Sequence, residues 1–307
     1  MASTPVIGFI GVGYMGHGMA KNILEGGYAL QVRGNRNRAP VDDLVSRGAT
    51  EAESPKAMAE ACDIVHICLG NSPQVEAVIY GPDGILASGK SGLIVIDCTT
   101  ADPASTDRLA AELGDAGMRF VDAPLGRTPK EAEAGTLDAM VGCDERTFEE
   151  IEPVLACWSA SATRIGETGS AHRMKLVMNF LAMGYGALYS EALTLAAKNG
   201  LSPQMVRQVI GGSRMSSGFF ETFMQYVVDR DRDAHKFTLT NALKDVSYVA
   251  NMADAAQVAN PLGAAIKNTY MHAVAIGAGD EYVPMISDHV GRLSGIEMAE
   301  AVEKGRG

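Results

Sequence analysis

Residues 6–10, Val-Ile-Gly-Phe-Ile, form a short apolar run that leads directly into Gly11-Val12-Gly13-Tyr14-Met15-Gly16. A GxGxxG loop that leaves a strand and opens a helix narrows the fold more than anything else in this chain. Gly11 permits the tight turn, Gly13 lets the backbone approach a pyrophosphate, and Gly16 lets the helix pack against the strand. The free N–H groups and positive dipole end of that helix then face the phosphates. Gly11, Gly13, Tyr14, Met15 and Gly16 are therefore candidate dinucleotide contacts, the alternative being a purely structural turn.

The rest of the first half repeats this alternation. Apolar runs at Val6–Ile10, Ala29–Arg33, Asp63–Leu69, Leu93–Asp97, Met118–Asp122 and Leu137–Val141 are predicted strands. Helical windows fall between them at Met15–Leu24, Pro73–Tyr80, Ala104–Ala116 and Glu145–Ala156. Continuous apolar strands separated by helices predict an α/β Rossmann domain, a doubly wound parallel sheet covered on both faces. After about Gly169 only helical spacing remains. Arg173–Asn199 predicts one long apolar helix, followed by helices at Pro203–Ile210, Phe219–Val228, Leu243–Ala256, Pro261–Ala275 and Pro284–Glu303. The expected organisation is a Rossmann domain over 1–168, an interdomain helix over 169–200 and an all-α domain over 201–307. So apolar a helix is expected to be buried between domains or subunits, which points to a homodimer or homotetramer.

Composition excludes several classes. A net charge of −11 disfavours nucleic acid or an anionic membrane as the main partner. The N-terminus lacks the charged and apolar regions of a signal peptide, and no apolar run reaches the ~20 residues of a membrane helix. The five cysteines, Cys62, Cys68, Cys98, Cys143 and Cys157, are scattered and read as reduced core thiols of a cytoplasmic protein. The six histidines show no ligand spacing, so no metal site is expected.

The stretch after the second strand bears on which dinucleotide is bound. An NAD site usually places Asp or Glu there to hold the ribose 2′-hydroxyl. This chain has Arg33-Gly34-Asn35-Arg36-Asn37-Arg38, with no acid. Guanidinium groups match a 2′-phosphate, which a carboxylate would repel. NADP is the expected cofactor, with Arg36 foremost and Asn35 and Arg38 assisting. NAD remains possible if these arginines are only solvated.

The motifs together resemble the β-hydroxyacid dehydrogenase family. Its loop GxGxMGxxMAxN is matched in full from Gly11 to Asn22. Its acid-binding block is present as Asp122-Ala123-Pro124-Leu125-Gly126-Arg127-Thr128, closing at Gly135-Thr136-Leu137. The usual Ser-Gly-Gly is replaced by Gly-Arg-Thr, similar to the sulfolactaldehyde reductases of the family. The resemblance implies that Gly126, Arg127 and Thr128 hold the substrate's acid group, although Arg127 pointing to solvent or pairing with Glu131 is the competing reading. The third block is Lys175-Leu176-Val177-Met178-Asn179. Lys175 and Asn179 stand one helical turn apart on one face, and the resemblance implies proton transfer by Lys175 and substrate binding by Asn179. Met178 departs from the family's first asparagine, which puts a sulfonate substrate in doubt and favours a bulkier one. The resemblance further implies that Leu69, Thr100, Phe237, Lys244 and Asp245 touch the cofactor.

The expected reaction is hydride transfer between NAD(P) and a short 3-hydroxy acid or its semialdehyde. In the reducing direction the Lys175 ammonium donates a proton to the carbonyl oxygen. An imine reductase and a non-catalytic nucleotide-binding protein are the rival readings.

Overall fold

The computed structural model describes residues 4–306; Met1–Ser3, on which the reading of an absent leader partly rests, and Gly307 lie outside the described residues. The chain divides into two units, Met1–Lys175 and Leu176–Gly307.

In the first unit the chain runs β1 (Ile7–Ile10), α1 (Gly16–Glu25), β2 (Leu30–Arg33), α2 (Ala39–Ser46), β3 (Thr50–Glu51), α3 (Pro55–Ala61), β4 (Ile64–Ile67) and α4 (Ser72–Tyr80). It continues through β5 (Ile94–Asp97), α5 (Pro103–Asp115), β6 (Arg119–Asp122), β7 (Leu125–Gly126), α6 (Pro129–Ala134), β8 (Leu137–Gly142), α7 (Glu145–Leu155) and β9 (Ser159–Gly166). Six strands lie parallel in the order β3-β2-β1-β4-β5-β6. The direction of winding reverses at β1, so its carboxyl end, where the glycine loop begins, is the switch point at which ligands bind in such sheets. Strand residues alternate between two cores. Ile7, Phe9, Ile64 and Ile96 join one apolar cluster, while Ile10, Val65, Ile67 and Val95 join the other. Burial on both faces explains why these strands are continuous apolar runs.

The sheet is not wholly parallel. β8 pairs antiparallel with β6 and β7 and parallel with β9. β9, Ser-Ala-Ser-Ala-Thr-Arg-Ile-Gly, is mostly outside the core and lacks an apolar run, so its pattern gave no strand signal.

In the second unit α8 (Ser170–Lys198), which starts in the first, is followed by α9 (Pro203–Gly211), α10 (Gly218–Asp229), α11 (Leu239–Ala255), α12 (Pro261–Ala275), α13 (Ile286–Leu293) and α14 (Met298–Lys304). Its described residues contain no strand, only an isolated bridge between Thr238 and Tyr282. The helix expected over Pro284–Glu303 is broken in two. Gly295 adopts φ +67° there, and the backbone of Ile296 comes so close to Gly291 that a Cβ would meet its carbonyl oxygen at 2.8 Å. The core collects Phe220, Phe223, Tyr270, Val283 and Met285, with Met183 and Leu193 of α8. The opposite side of α8 exposes Val177, Met178, Leu181, Tyr185, Leu188 and Leu195 at helical spacing. No described helix is long and apolar enough to cross a membrane.

Candidate functional site

The glycine loop has the shape its sequence implies. Gly11 takes φ +96°, and a Cβ there would lie 2.2 Å from the carbonyl oxygen of Cys68. A Cβ on Gly16 would lie 2.0 Å from Gly11 O, so only glycine lets α1 close on β1. Gly13 is different: nothing comes within 4 Å of the position its Cβ would take. No side chain caps the N-terminus of α1, and its first turn carries no acid. Open space at Gly13 beside uncapped N–H groups fits a pyrophosphate. Tyr14 is 93% exposed at the tip of the loop.

The arginines after β2 divide their work. Arg33 donates from Nη1 to the carbonyl oxygens of Ala52 (2.9 Å) and Glu53 (2.5 Å). Arg38 holds both oxygens of Glu51, at 2.6 and 2.8 Å, and reaches Asp42 at 3.2 Å. Those contacts lower the Glu51 carboxyl pKa through the adjacent guanidinium. Arg38 is thus held by carboxylates rather than aimed at a ribose. Asn35 and Arg36 stand exposed on the turn between them. Leu69 follows β4, with its N–H donating to Thr99 Oγ1 and its side chain close to Gly11. Thr100 is half-buried after β5.

The block expected to bind the acid sits at β7 and the start of α6. Arg127 adopts φ +75°, a left-handed conformation that glycine takes without strain and arginine does not. Its Nε donates to Asp138 Oδ2 at 2.7 Å, and Ser161 Oγ donates to the other oxygen of Asp138. The competing reading of a pair with Glu131 is replaced by this one with Asp138, as Glu131 is engaged with Thr128 at the start of α6. Thr128 N–H donates to Glu131 Oε2 at 3.1 Å, and its hydroxyl donates to the same oxygen. A bound acid would therefore share Thr128 with Glu131.

A link that sequence reading missed joins this block to the glycine loop. Asn22 Nδ2 donates to Ala132 O at 3.0 Å, and a Cβ on Gly18 would meet the Ala132 backbone at 2.5 Å. Lys21 pairs with Glu133. Gly18 and Asn22, both inside the long glycine motif, lock α6 onto α1. The spacing of the motif was visible, but the distant backbone it accommodates was not.

The N-terminus of α8 is held by Asp122, the last residue of β6. Asp122 Oδ1 accepts from Gly169 N–H at 2.6 Å and Oδ2 accepts from His172 N–H at 2.7 Å. Lys175 lies one residue short of the fully buried Leu176 and is itself half-buried. One turn on, Asn179 Nδ2 donates to Asp245 Oδ2 at 2.6 Å, and Asp245 is 1% exposed. Lys244 Nζ lies 3.2 Å from Asp245 Oδ1 and 5.7 Å from the centre of the Tyr248 ring. The expectation gave Asp245 a cofactor contact. What the structure shows is its carboxylate fixing which way the Asn179 amide faces. Phe237 packs at the edge of the second core, edge-on to His235. Among the described residues no three of His, Cys, Asp or Glu are grouped to hold a metal.

Residues 6–166 match the family described as the NAD binding domain of 6-phosphogluconate dehydrogenase. Residues 169–286 match the family described as NAD-binding of NADP-dependent 3-hydroxyisobutyrate dehydrogenase. The chain is 33% identical over 296 residues to 2-(hydroxymethyl)glutarate dehydrogenase of Eubacterium barkeri, covering 95% of this chain and 97% of that protein. It is 32% identical to 3-sulfolactaldehyde reductase of Escherichia coli strain K12, over 89% of this chain and 91% of that one. The crystal structure of 3-hydroxyisobutyrate dehydrogenase from Salmonella typhimurium superposes with a TM-score of 0.80 at 28% identity, covering 92% of this chain and 99% of the other. The chain belongs to the β-hydroxyacid dehydrogenase family and is an NAD(P)-dependent oxidoreductase acting on the CH–OH of a short hydroxy acid or on the matching semialdehyde.

Proposed function

We propose that the preferred cofactor is NADP and that the substrate is a semialdehyde, or its hydroxy acid, carrying a second anionic group. When bound, the nicotinamide supplies or accepts the hydride. Lys175 Nζ, as ammonium, donates a proton to the carbonyl oxygen in reduction, and as neutral amine it takes the hydroxyl proton in oxidation. Asn179 orients the same oxygen, since its amide is held by Asp245. Gly126, Arg127 and Thr128 grip the remote acid, which fixes the reacting carbon. Leu69, Thr100, Phe237, Lys244 and Asp245 are the remaining cofactor contacts of this reading. Arg36 and Asn35 take the 2′-phosphate.

The observation that carries this reading is the pairing of Lys175 with an Asn179 whose amide orientation is set by a buried carboxylate, one turn apart on one helix. A surface lysine would need no such neighbour. Relatives acting on 2-(hydroxymethyl)glutarate and on 3-sulfolactaldehyde fit an anionic group gripped by Arg127. Retention of lysine argues against an imine reductase. The exposed apolar side of α8 supports a homo-oligomer, as a dimer or tetramer, and the five scattered, free cysteines support a cytoplasmic setting.

The test is NADPH oxidation with a panel of semialdehydes bearing carboxylate, sulfonate or no acid. Lys175→Ala should lower kcat by about 100-fold or more while leaving NADPH affinity unchanged. Full turnover by that variant removes Lys175 from the chemistry, and NADPH binding without turnover on any substrate favours a nucleotide-binding protein.

A further inference from the structure

We infer that Asp122 is a positioning residue that sets the placement of the Lys175 amine relative to the acid-binding loop; this rests on the proposed roles of Lys175 and Arg127. A helix leaves its first N–H groups without intrahelical partners, and a side chain just before it commonly caps them. In α8 the cap comes from a residue 47 and 50 positions earlier in the chain than the two amides it serves.

The seat for this carboxylate is built. Asp122 is 0% exposed. Its register partner across the sheet is Gly142, where a Cβ would lie 2.2 Å from Asp122 Oδ1, so a larger residue would evict the carboxylate. Gly169, which donates one of the two bonds, takes φ +90° to do so. The same turn of α8 is gripped from a second side by α5. Thr106 Oγ1 lies 2.7 Å from His172 Nδ1, and Arg173 Nη2 donates to Asp107 Oδ2 at 2.6 Å. Asp122 fixes the position of the helix end along its axis, and the α5 contacts fix its rotation.

Asp122 also begins the acid-binding block, with Gly126 four positions further on and Arg127 five. One side chain therefore refers both halves of the site, the anchor for the remote acid and the proton donor, to the same point on β6. A substrate held at its acid presents its carbonyl oxygen to Lys175 only if that separation is kept. A substrate with no acid is not held at the anchor and is indifferent to it.

The experiment is Asp122→Asn, in which an amide NH2 replaces one acceptor and opposes an N–H. Turnover is measured on the best acid-bearing semialdehyde of the panel and on the aldehyde of the same chain length without the acid. Lys175→Ala and an NADPH titration run alongside. The expected result is a fall in kcat of about 100-fold on the acid-bearing substrate, with a fall of less than about tenfold on the plain aldehyde and unchanged NADPH affinity. Equal losses on both substrates, or no loss on either, overturn the inference, because a merely structural aspartate lowers both through the folded fraction. Full activity of Lys175→Ala instead signals failure of the underlying mechanism. Should Asp122→Asn not fold, Thr106→Val loosens the same turn by one hydrogen bond. It should show the same split between substrates at about fivefold, and equal losses there count equally against the inference.

Discussion

Arg33 and Arg38 flank Arg36 in the sequence, and both are held by partners of their own, two carbonyl oxygens for one and two carboxylates for the other. Arg36 stands exposed between them on a turn where Gly34 lets α2 come close, a Cβ there falling 2.4 Å from Val41. That arrangement leaves one guanidinium for a phosphate, and charge-assisted bonds of this kind are among the stronger ones available at a surface. Arg36→Ala is expected to raise KM for NADPH roughly 10–100-fold and to leave KM for NADH unchanged. Parallel steady-state titrations of the two cofactors decide it, and equal effects on both would move the phosphate contact elsewhere. Arg127 poses the converse case, since its left-handed backbone is one that glycine accepts freely. Arg127→Gly should keep or raise the melting temperature while raising KM at least about tenfold for acid-bearing substrates alone. A variant that loses stability and keeps its KM would make Arg127 a surface partner of Asp138 only.

At the scale of elements, the docking of α6 on α1 joins the glycine loop to the proposed acid-binding block through Gly18, Asn22 and Lys21. Gly18→Ala forces a methyl to within 2.5 Å of the Ala132 backbone, and backbone cannot rotate away as a side chain can. The expected outcome is a loss of about 1–3 kcal/mol in urea unfolding together with weaker NADPH and substrate binding. Loss of one kind of binding without the other would show that the loops respond independently. The elements also mark how far sequence reading reached. Strands buried on both faces, such as β1, β4 and β5, are mostly apolar, broken only by His66 in β4 and Asp97 at the end of β5, and were found from that run. β3 and β7 have two residues each, too few for any period, and β9 is largely polar. The antiparallel β8 was placed as a strand but not as an antiparallel one, because an apolar run carries no direction. The site follows the same rule. Gly11, Gly16 and the Lys175–Asn179 spacing are local and legible, whereas Asp122 capping α8 and Asp245 holding Asn179 act across 47 to 66 positions that no local pattern reveals.

At the scale of the whole chain, acid sensitivity of the first unit should trace to a residue outside the site. His66 lies on β4 between two rings, stacked on Phe9 at 5.5 Å and edge-on to Trp158 at 6.2 Å. It is fully buried, neither ring nitrogen has a hydrogen-bond partner among the described residues, and burial pushes its pKa from 6.5 down to about 3. Below pH 6.5 the unfolded chain takes up a proton that the folded chain refuses until about pH 3. The folded state therefore loses stability as pH falls through that window, by up to about 1.4 kcal/mol per pH unit, and the contribution is flat above it. Asp97 acts in the opposite sense. Burial raises its carboxyl pKa, so the folded chain protonates it first and acid relieves a buried charge. His66→Leu separates the two. It removes two unpartnered buried nitrogens, so stability at about pH 7 should be equal or higher, and the acid loss that remains should come from carboxylates held low by arginine partners, such as Glu51, set against the opposing Asp97 contribution. Trp158 is the single tryptophan of the chain, is buried against His66, and reports unfolding of this unit by its emission. Urea midpoints followed through Trp158 between about pH 7 and pH 4 should fall for the wild type and fall less for His66→Leu. Identical slopes would place the acid sensitivity in groups other than this ring.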